Sequence, residues 1–135
     1  MIAKTPLGPV QAAIYGRLTG DAVLMGMISG VWDGEAPEDA EFPHVIIGVA
    51  IEIPDNAVAQ LGRETVETLH VWDDRRGFQR ANQIAGRLVE LLDHQPMTIP
   101  DHHHIATRYE FGQTLTDPDR LRHIVLRFRI VTEQE

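Results

Sequence analysis

Residues 64–92 read ETVETLHVWDDRRGFQRANQIAGRLVELL, and this stretch decides the fold. Its first part, Glu64–Trp72, predicts a two-faced strand. After the turn Asp73–Gly77, apolar residues recur at spacings of three and four, which predicts an amphipathic helix with one apolar stripe. The stripe consists of Phe78, Ala81, Ile84, Ala85, Leu88, Leu91 and Leu92. We expect the helix to bury this stripe on the sheet to which its own strand belongs.

The turn between this strand and helix carries two acids and two arginines. Asp73 or Asp74 is expected to cap the first helical turn, where backbone N–H groups lack partners and the helix dipole favours a carboxylate. Acid–base chemistry by these acids with Arg75 and Arg76 is the alternative. Capping and surface ion pairs account for all four side chains, so the sequence favours a structural role.

The rest of the chain adds short helices and further strands in an order typical of one α+β domain, residues 1–135. The predicted helices are Pro9–Leu18 and Ala22–Ile28, the second capped by Asp21. The predicted extended segments are Val31–Trp32, His44–Ile53, His104–Leu115 and Leu121–Val131, followed by a frayed tail at Thr132–Glu135. Adjacent strands joined by turns predict a mainly antiparallel sheet of four to five strands, with two to three helices packed on one face.

Two of these strands have distinct patterns. The segment His44–Ile53 is almost continuously apolar, which indicates that both its faces are covered, in a central strand or at a subunit contact. In Leu121–Val131 apolar and polar residues alternate, as in a half-buried antiparallel strand. The apolar set of that strand is Ile124, Leu126, Phe128 and Ile130.

Composition excludes several classes of function. The chain has no cysteine, which excludes disulfides, thiolate metal sites and a cysteine nucleophile. No apolar run approaches the roughly 20 residues of a membrane helix, and Met1–Pro6 does not resemble a signal peptide. Ser29 lacks the Gly-x-Ser-x-Gly context of a serine hydrolase, and no phosphate-binding glycine loop is present. We therefore predict no catalytic residue, no cofactor, no membrane partner and no enzyme.

The charge is acidic overall and unevenly distributed. The formal net charge is −8, which argues against tight nucleic-acid binding. Acids dominate from Trp32 to Glu67, whereas arginines cluster at 120–129. This separation allows self-association, with the acidic part of one copy meeting the basic part of the next.

The run His102–His104 is the main candidate for a metal site. Imidazoles are good ligands for zinc, but consecutive residues on an extended segment point to opposite sides. A solvated loop without metal is the preferred interpretation, and a metal-dependent enzyme built on these histidines is the alternative.

The order of three sequence passages resembles one protein family. These passages are AP…FPHVIIG within residues 36–48, VWDDRRGFQRANQIAGRLVELL at 71–92 and DPDRLRHIVLRFRI at 117–130. Together they resemble the tail-completion proteins of long-tailed bacteriophages, which include tail terminators, also called tail-to-head joining proteins. The resemblance extends over nearly the whole chain. A plain protein-interaction module unrelated to virions is the alternative.

The resemblance implies a structural virion protein without a catalytic motif. Family members form a hexameric ring on the last ring of the tail tube, stop its polymerisation and present a surface to the head connector. DNA passes through the lumen, and related particles include gene transfer agents. The implied location is the head-proximal end of the tail, after assembly in the host cytoplasm.

A ring predicts lumen and interface residues. A lumen that passes DNA without gripping it should be acidic, so we expect some of Glu52, Glu64 and Glu67 to face it. The predicted subunit interface consists of Trp32, Asp73, Arg75, Arg76, Arg120, Arg127 and Arg129, in which the arginines of the last strand region meet acids of a neighbouring copy.

Overall fold

Five strands form one sheet, and three helices cover one of its faces. The computed structural model describes residues 1–135. The elements are α1 (Leu7–Thr19), α2 (Ala22–Met25), β1 (Val31–Asp33), β2 (His44–Pro54), β3 (Gly62–Asp73), α3 (Gln79–Leu92), β4 (His102–Thr116) and β5 (Arg122–Gln134). The strand order is β1-β2-β3-β5-β4, and every neighbouring pair is antiparallel except β1–β2. The predicted α+β class is confirmed. No helix has the length and apolar character needed to span a bilayer.

The core lies between the helices and one face of the sheet, the helix-covered face. Helix α3 buries most of its predicted stripe there, and Phe78 and Leu91 are partly buried at its margins. The predicted alternation of β5 is also confirmed, since Ile124, Leu126, Phe128 and Ile130 are all buried. Alternate residues of the strands point to the opposite face of the sheet, which no helix covers and which we call the open face. His70 and Trp72 of β3 lie on this face.

Strand β2 departs from its prediction because its two halves have different surroundings. Only Val45–Ile47 are flanked on both sides, by β1 and β3, and a bulge follows between Ile47 and Ala50. Beyond the bulge β2 is a free edge, and Val49, Ile51 and Ile53 are 76%, 62% and 50% exposed. Within the subunit the apolar run is therefore covered on one face only.

The structure also corrects the predicted ends of two helices. Helix α3 starts at Gln79 after Phe78, with no side-chain cap, so the predicted cap by Asp73 or Asp74 is wrong. Helix α2 ends at Met25 rather than Ile28, although its predicted Asp21 cap accepts a hydrogen bond from Leu24 N at 2.8 Å.

The predicted frayed tail is instead the end of β5. Gln134 is buried, and its backbone N–H donates to Leu61 O at 2.9 Å. Its side-chain amide binds the N-terminal segment, donating to Ile2 O at 2.7 Å and accepting from Lys4 N at 2.8 Å. These contacts between the chain ends hold residues 132–134 in the sheet.

Candidate functional site

Asp73 at the end of β3 is a buried structural acid. Its side chain is fully buried and accepts hydrogen bonds from Arg80, with Nε at 3.0 Å, and from the backbone N–H of Arg75 at 3.3 Å. Burial opposes ionisation, but the Arg80 guanidinium and the backbone donors outweigh it and hold the pKa of Asp73 below its ordinary value. Asp73 is therefore not available to a neighbouring subunit, contrary to prediction. The adjacent Arg75 and Arg76 are exposed.

The arginines of the last strand region differ from one another. Arg129 forms ion pairs within its own chain, with Glu64 at 2.8 Å and with Glu110. The predicted acids of a neighbouring copy are therefore not needed to neutralise it. Arg127 lies over the Phe111 ring at 4.8 Å. Arg120 is exposed on the β4–β5 turn in a left-handed conformation, with φ of 66°. Arg120 and Arg127 stay predicted interface residues.

Trp32 lies half-buried on the short edge strand β1. Its indole Nε1 is buried without a hydrogen-bond partner, and its ring packs close to Gly30. It borders a cavity of about 420 Å³ shared with Tyr15 of α1. Its predicted interface role stays a prediction.

The three predicted lumen acids occupy different environments. Glu67 is only 2% exposed and points into the helix-covered face, so it cannot present a charge to a channel. Burial, followed by repulsion from Asp33, raises its pKa to about 7, and its Oε2 has no hydrogen-bond partner. Glu52 pairs across the ladder with Thr65, and Glu64 pairs with Ile53. These two acids therefore lie on opposite faces, and at most one of them can face a given lumen.

The His102–His104 run forms the start of β4 rather than the predicted solvated loop. Alternation buries His102, whose Nδ1 is 2.8 Å from Pro100 O, and exposes His103. His104 Nε2 lies 2.7 Å from Thr107 Oγ1. No group of three or more His, Asp or Glu side chains in the chain is arranged to hold a metal ion.

A pocket on the open face was not predicted from the sequence. Its volume is about 420 Å³. It is lined by Gly34, Glu35, Ala36, Phe42, His44, Ile46, His70, Trp72, Asp117, Asp119, Leu121 and His123. We call it the open-face pocket. Its residues come from three separate segments of the chain: the β1–β2 loop with the start of β2, the end of β3, and the β4–β5 turn with the start of β5.

Stacked rings form the floor of the open-face pocket. Trp72 and His123 are paired across β3 and β5, and their rings stack with centroids 3.8 Å apart and planes 11° apart. His70 Nδ1 lies 2.7 Å from His123 Nε2. Gly48 on β2 makes room for this arrangement, because a Cβ atom there would lie 2.7 Å from His70 Nε2.

The open-face pocket combines a neutral floor with an acidic rim. Burial lowers the pKa of His70. Burial, and then the proximity of His70, lowers the pKa of His123 to about 4, so both rings are neutral at pH 7. The rim acids Glu35, Asp117 and Asp119 form no ion pair with any side chain of the subunit.

Comparisons with known proteins identify the family through a family model and the fold through solved structures. The family model described as "Tail completion protein gp17" matches residues 12–133. A chain in the virion of a native gene transfer agent particle is similar, with a TM-score of 0.89 and 22% identity, covering 97% of this chain and 99% of that one. The gp17 protein of bacteriophage SPP1 is similar with a TM-score of 0.64 and 22% identity, covering 91% of this chain and 88% of that one. No curated protein sequence matches significantly.

Proposed function

Because this chain belongs to the tail completion protein gp17 family, we propose that it is a tail terminator, which closes the tail tube and joins it to the head. The family match over residues 12–133 carries the proposal. A tail completion protein is a structural component of the virion rather than an enzyme, so neither a metal-dependent enzyme nor a non-viral interaction module is supported.

In this proposal six copies form a ring on the last ring of the tail tube. Ring formation needs two different, complementary surfaces on each subunit, because only head-to-tail contacts close into a cyclic ring of more than two copies. The sheet has two unlike edges: all of β4 on one side, and on the other side the short strand β1 followed by the half of β2 beyond its bulge. Such unlike edges suit a head-to-tail arrangement.

Exposed apolar residues would supply most of the affinity. Val49, Ile51 and Ile53, which we call the β2 stripe, lie along the free half of β2, where an isolated subunit leaves them in water. Burying one such side chain completely contributes about 1.5–3 kcal/mol, whereas an exposed ion pair contributes about 0–1 kcal/mol. The stripe is therefore a stronger candidate for the main contact than any surface charge pair.

The proposed ring covers the tube end, stops further polymerisation and offers its other side to the head connector. DNA crosses the lumen during ejection. The net charge of −8 supports passage without binding, because the subunit repels the phosphate backbone. Either Glu52 or Glu64, but not both, would contribute to the lumen wall.

Electron microscopy of tails with and without this protein tests the proposal. Tails from a deletion strain should lack a terminal ring and fail to join heads, and the purified protein should restore a six-fold ring at the head-proximal tip. Density at the other end of the tail, or normal joining of heads in the deletion strain, would overturn it.

A further inference from the structure

No side chain of the subunit fills the open-face pocket, and its aromatic and acidic lining favours a cation. We propose that it binds the guanidinium group of an arginine from a second copy of the chain, supplied by Arg75 or Arg76. This inference rests on the ring proposed above and identifies one of its subunit contacts.

The lining of the pocket suits a planar cation. No lysine or arginine is among the lining residues, and the nearby carboxylates of Glu35, Asp117 and Asp119 are free of ion pairs. The Trp72 ring lies among these acids. A guanidinium group attracts both an aromatic face and a carboxylate, and its planar fork can engage them together.

The supply of free arginines identifies the donor. Eight of the eleven arginines contact a partner group within their own chain. These are Arg17, Arg63, Arg80, Arg87, Arg108, Arg122, Arg127 and Arg129. Arg120 belongs to the β4–β5 turn that forms the pocket rim. Arg75 and Arg76 are left, exposed on the turn between β3 and α3, and the single lysine, Lys4, is already paired with Asp101 at 3.3 Å.

The positions of donor and acceptor suit contact between copies. The pocket opens on the open face, where Trp72 points. After Trp72 the chain leaves the sheet: Asp73 points into the helix-covered face, and Arg75 and Arg76 lie on the exposed turn between β3 and α3. Donor and acceptor are different surfaces of the subunit, and a contact between them repeats head to tail around a ring.

A cross-linking experiment tests the contact, because the chain has no native cysteine. Ala36→Cys places a thiol in the pocket, and Asp74→Cys places one beside the two arginines without removing them. Tails carrying the double variant, treated with a short bis-maleimide, should give a ladder of cross-linked copies on a denaturing gel. The matched control pairs Asp74→Cys with Val58→Cys, an exposed residue at the opposite end of the sheet, and should give no ladder.

A charge exchange gives an independent test. One variant reverses the pocket rim with Glu35→Arg and Asp119→Arg, and the other reverses the donor with Arg75→Glu and Arg76→Glu. All four residues are exposed, so both variants should fold, which circular dichroism checks. Each variant alone should enter tails more than about tenfold less well than the wild type, because like charges then meet at every contact. An equal mixture should recover, since the two variants can alternate around a ring of six.

The possible results separate this inference from the proposed function. If wild-type protein forms terminal rings but the Ala36/Asp74 pair gives no ladder, or the mixture of folded variants does not recover, the arginine contact is overturned and the ring stands. If wild-type protein is absent from tail tips, the proposed function fails. In that case cross-linking of the concentrated protein in solution still decides whether the two surfaces meet.

Discussion

His70 Nδ1 lies 2.7 Å from His123 Nε2, so one ring donates a hydrogen bond and the other accepts it. Protonation of both rings would place two donors and two positive charges against each other. The floor of the open-face pocket therefore requires at least one neutral histidine. Burial lowers the pKa of both His70 and His123 and so favours the neutral form of each.

This pair should make the fold sensitive to acid. The pKa of His123 in the folded chain is about 4, below the 6.5 of an unperturbed histidine, so the unfolded chain binds more protons between these pH values. The pair's contribution is complete above pH 6.5, falls as the pH drops through this window and does not change further below pH 4. With partial solvent screening we expect a loss of about 2 kcal/mol. Urea unfolding of wild type and His123→Phe at pH 7, 5.5 and 4 measures it: the variant should lose less stability than wild type, and parallel losses would contradict the prediction.

Glu67 should act in the opposite direction. Its pKa is raised from 4.5 to about 7, so its ionisation destabilises the fold progressively as the pH rises through this range, and fully above it. Glu67→Gln keeps the shape and removes the charge, and it should raise the free energy of unfolding at pH 8 by about 1–3 kcal/mol, with little change at pH 4.5. Glu64→Gln, on the open face and paired with Arg129, is the control and should give no gain. A neutral effect of Glu67→Gln at pH 8 would show that this carboxylate is adequately solvated.

The periodicity of apolar residues predicts the core accurately, because an element buried on one face repeats its apolar residues with the period of that element. The stripe of α3 and the alternation of β5 are two examples. The same reasoning overestimated the burial of β2, since exposed apolar residues such as Ile51 and Ile53 continue the apolar run beyond its bulge. A short apolar run does not distinguish a covered strand from one awaiting a partner.

Contacts between distant positions were beyond sequence reasoning. The open-face pocket depends on strand register, which brings His70 beside His123, 53 residues later in the chain. Asp73 is predicted to cap the backbone of the following helix, whereas in the structure its side chain binds the guanidinium group of Arg80, the second residue of α3, and the backbone N–H of Arg75. The acidic pattern that suggested a lumen likewise could not distinguish buried Glu67 from exposed acids.

The Asp73–Arg80 pair should be the most sensitive charged contact in the fold. Arg80→Ala leaves the buried Asp73 carboxylate unpaired, and the free energy of unfolding should fall by about 3–5 kcal/mol. Arg76→Ala is the control: it changes an exposed arginine in the turn between β3 and α3, and the free energy of unfolding should stay within about 0.5 kcal/mol of wild type. Chemical denaturation of both variants at pH 7 gives the comparison. A loss below 1 kcal/mol for Arg80→Ala would mean that water replaces the guanidinium.

The opposite orientations of Glu52 and Glu64 allow the lumen wall to be identified. Glu52→Lys and Glu64→Lys are made separately, and DNA ejection is timed for particles carrying each variant. A lysine facing the lumen should slow DNA exit because it binds passing phosphates, whereas the same change on the other face should not. Since Glu64→Lys also disturbs Arg129, Glu64→Gln serves as its control. Slowing by both lysine variants would contradict the register, and slowing by neither would remove both acids from the lumen.

The β2 stripe should govern assembly without affecting the folded subunit. Ile51 and Ile53 are 62% and 50% exposed, so Ile51→Lys and Ile53→Lys remove little buried area, and the midpoint of thermal unfolding should stay close to that of wild type. In a ring, each lysine would place an unpaired charge in an apolar contact, and incorporation into tails should fall more than about tenfold. Val23→Lys, on the exposed side of α2, is the matched control and should leave incorporation unchanged. Normal incorporation of the Ile51 and Ile53 variants would place the stripe in solvent and assign the main contact to another surface, with the long free edge of β4 the next to test.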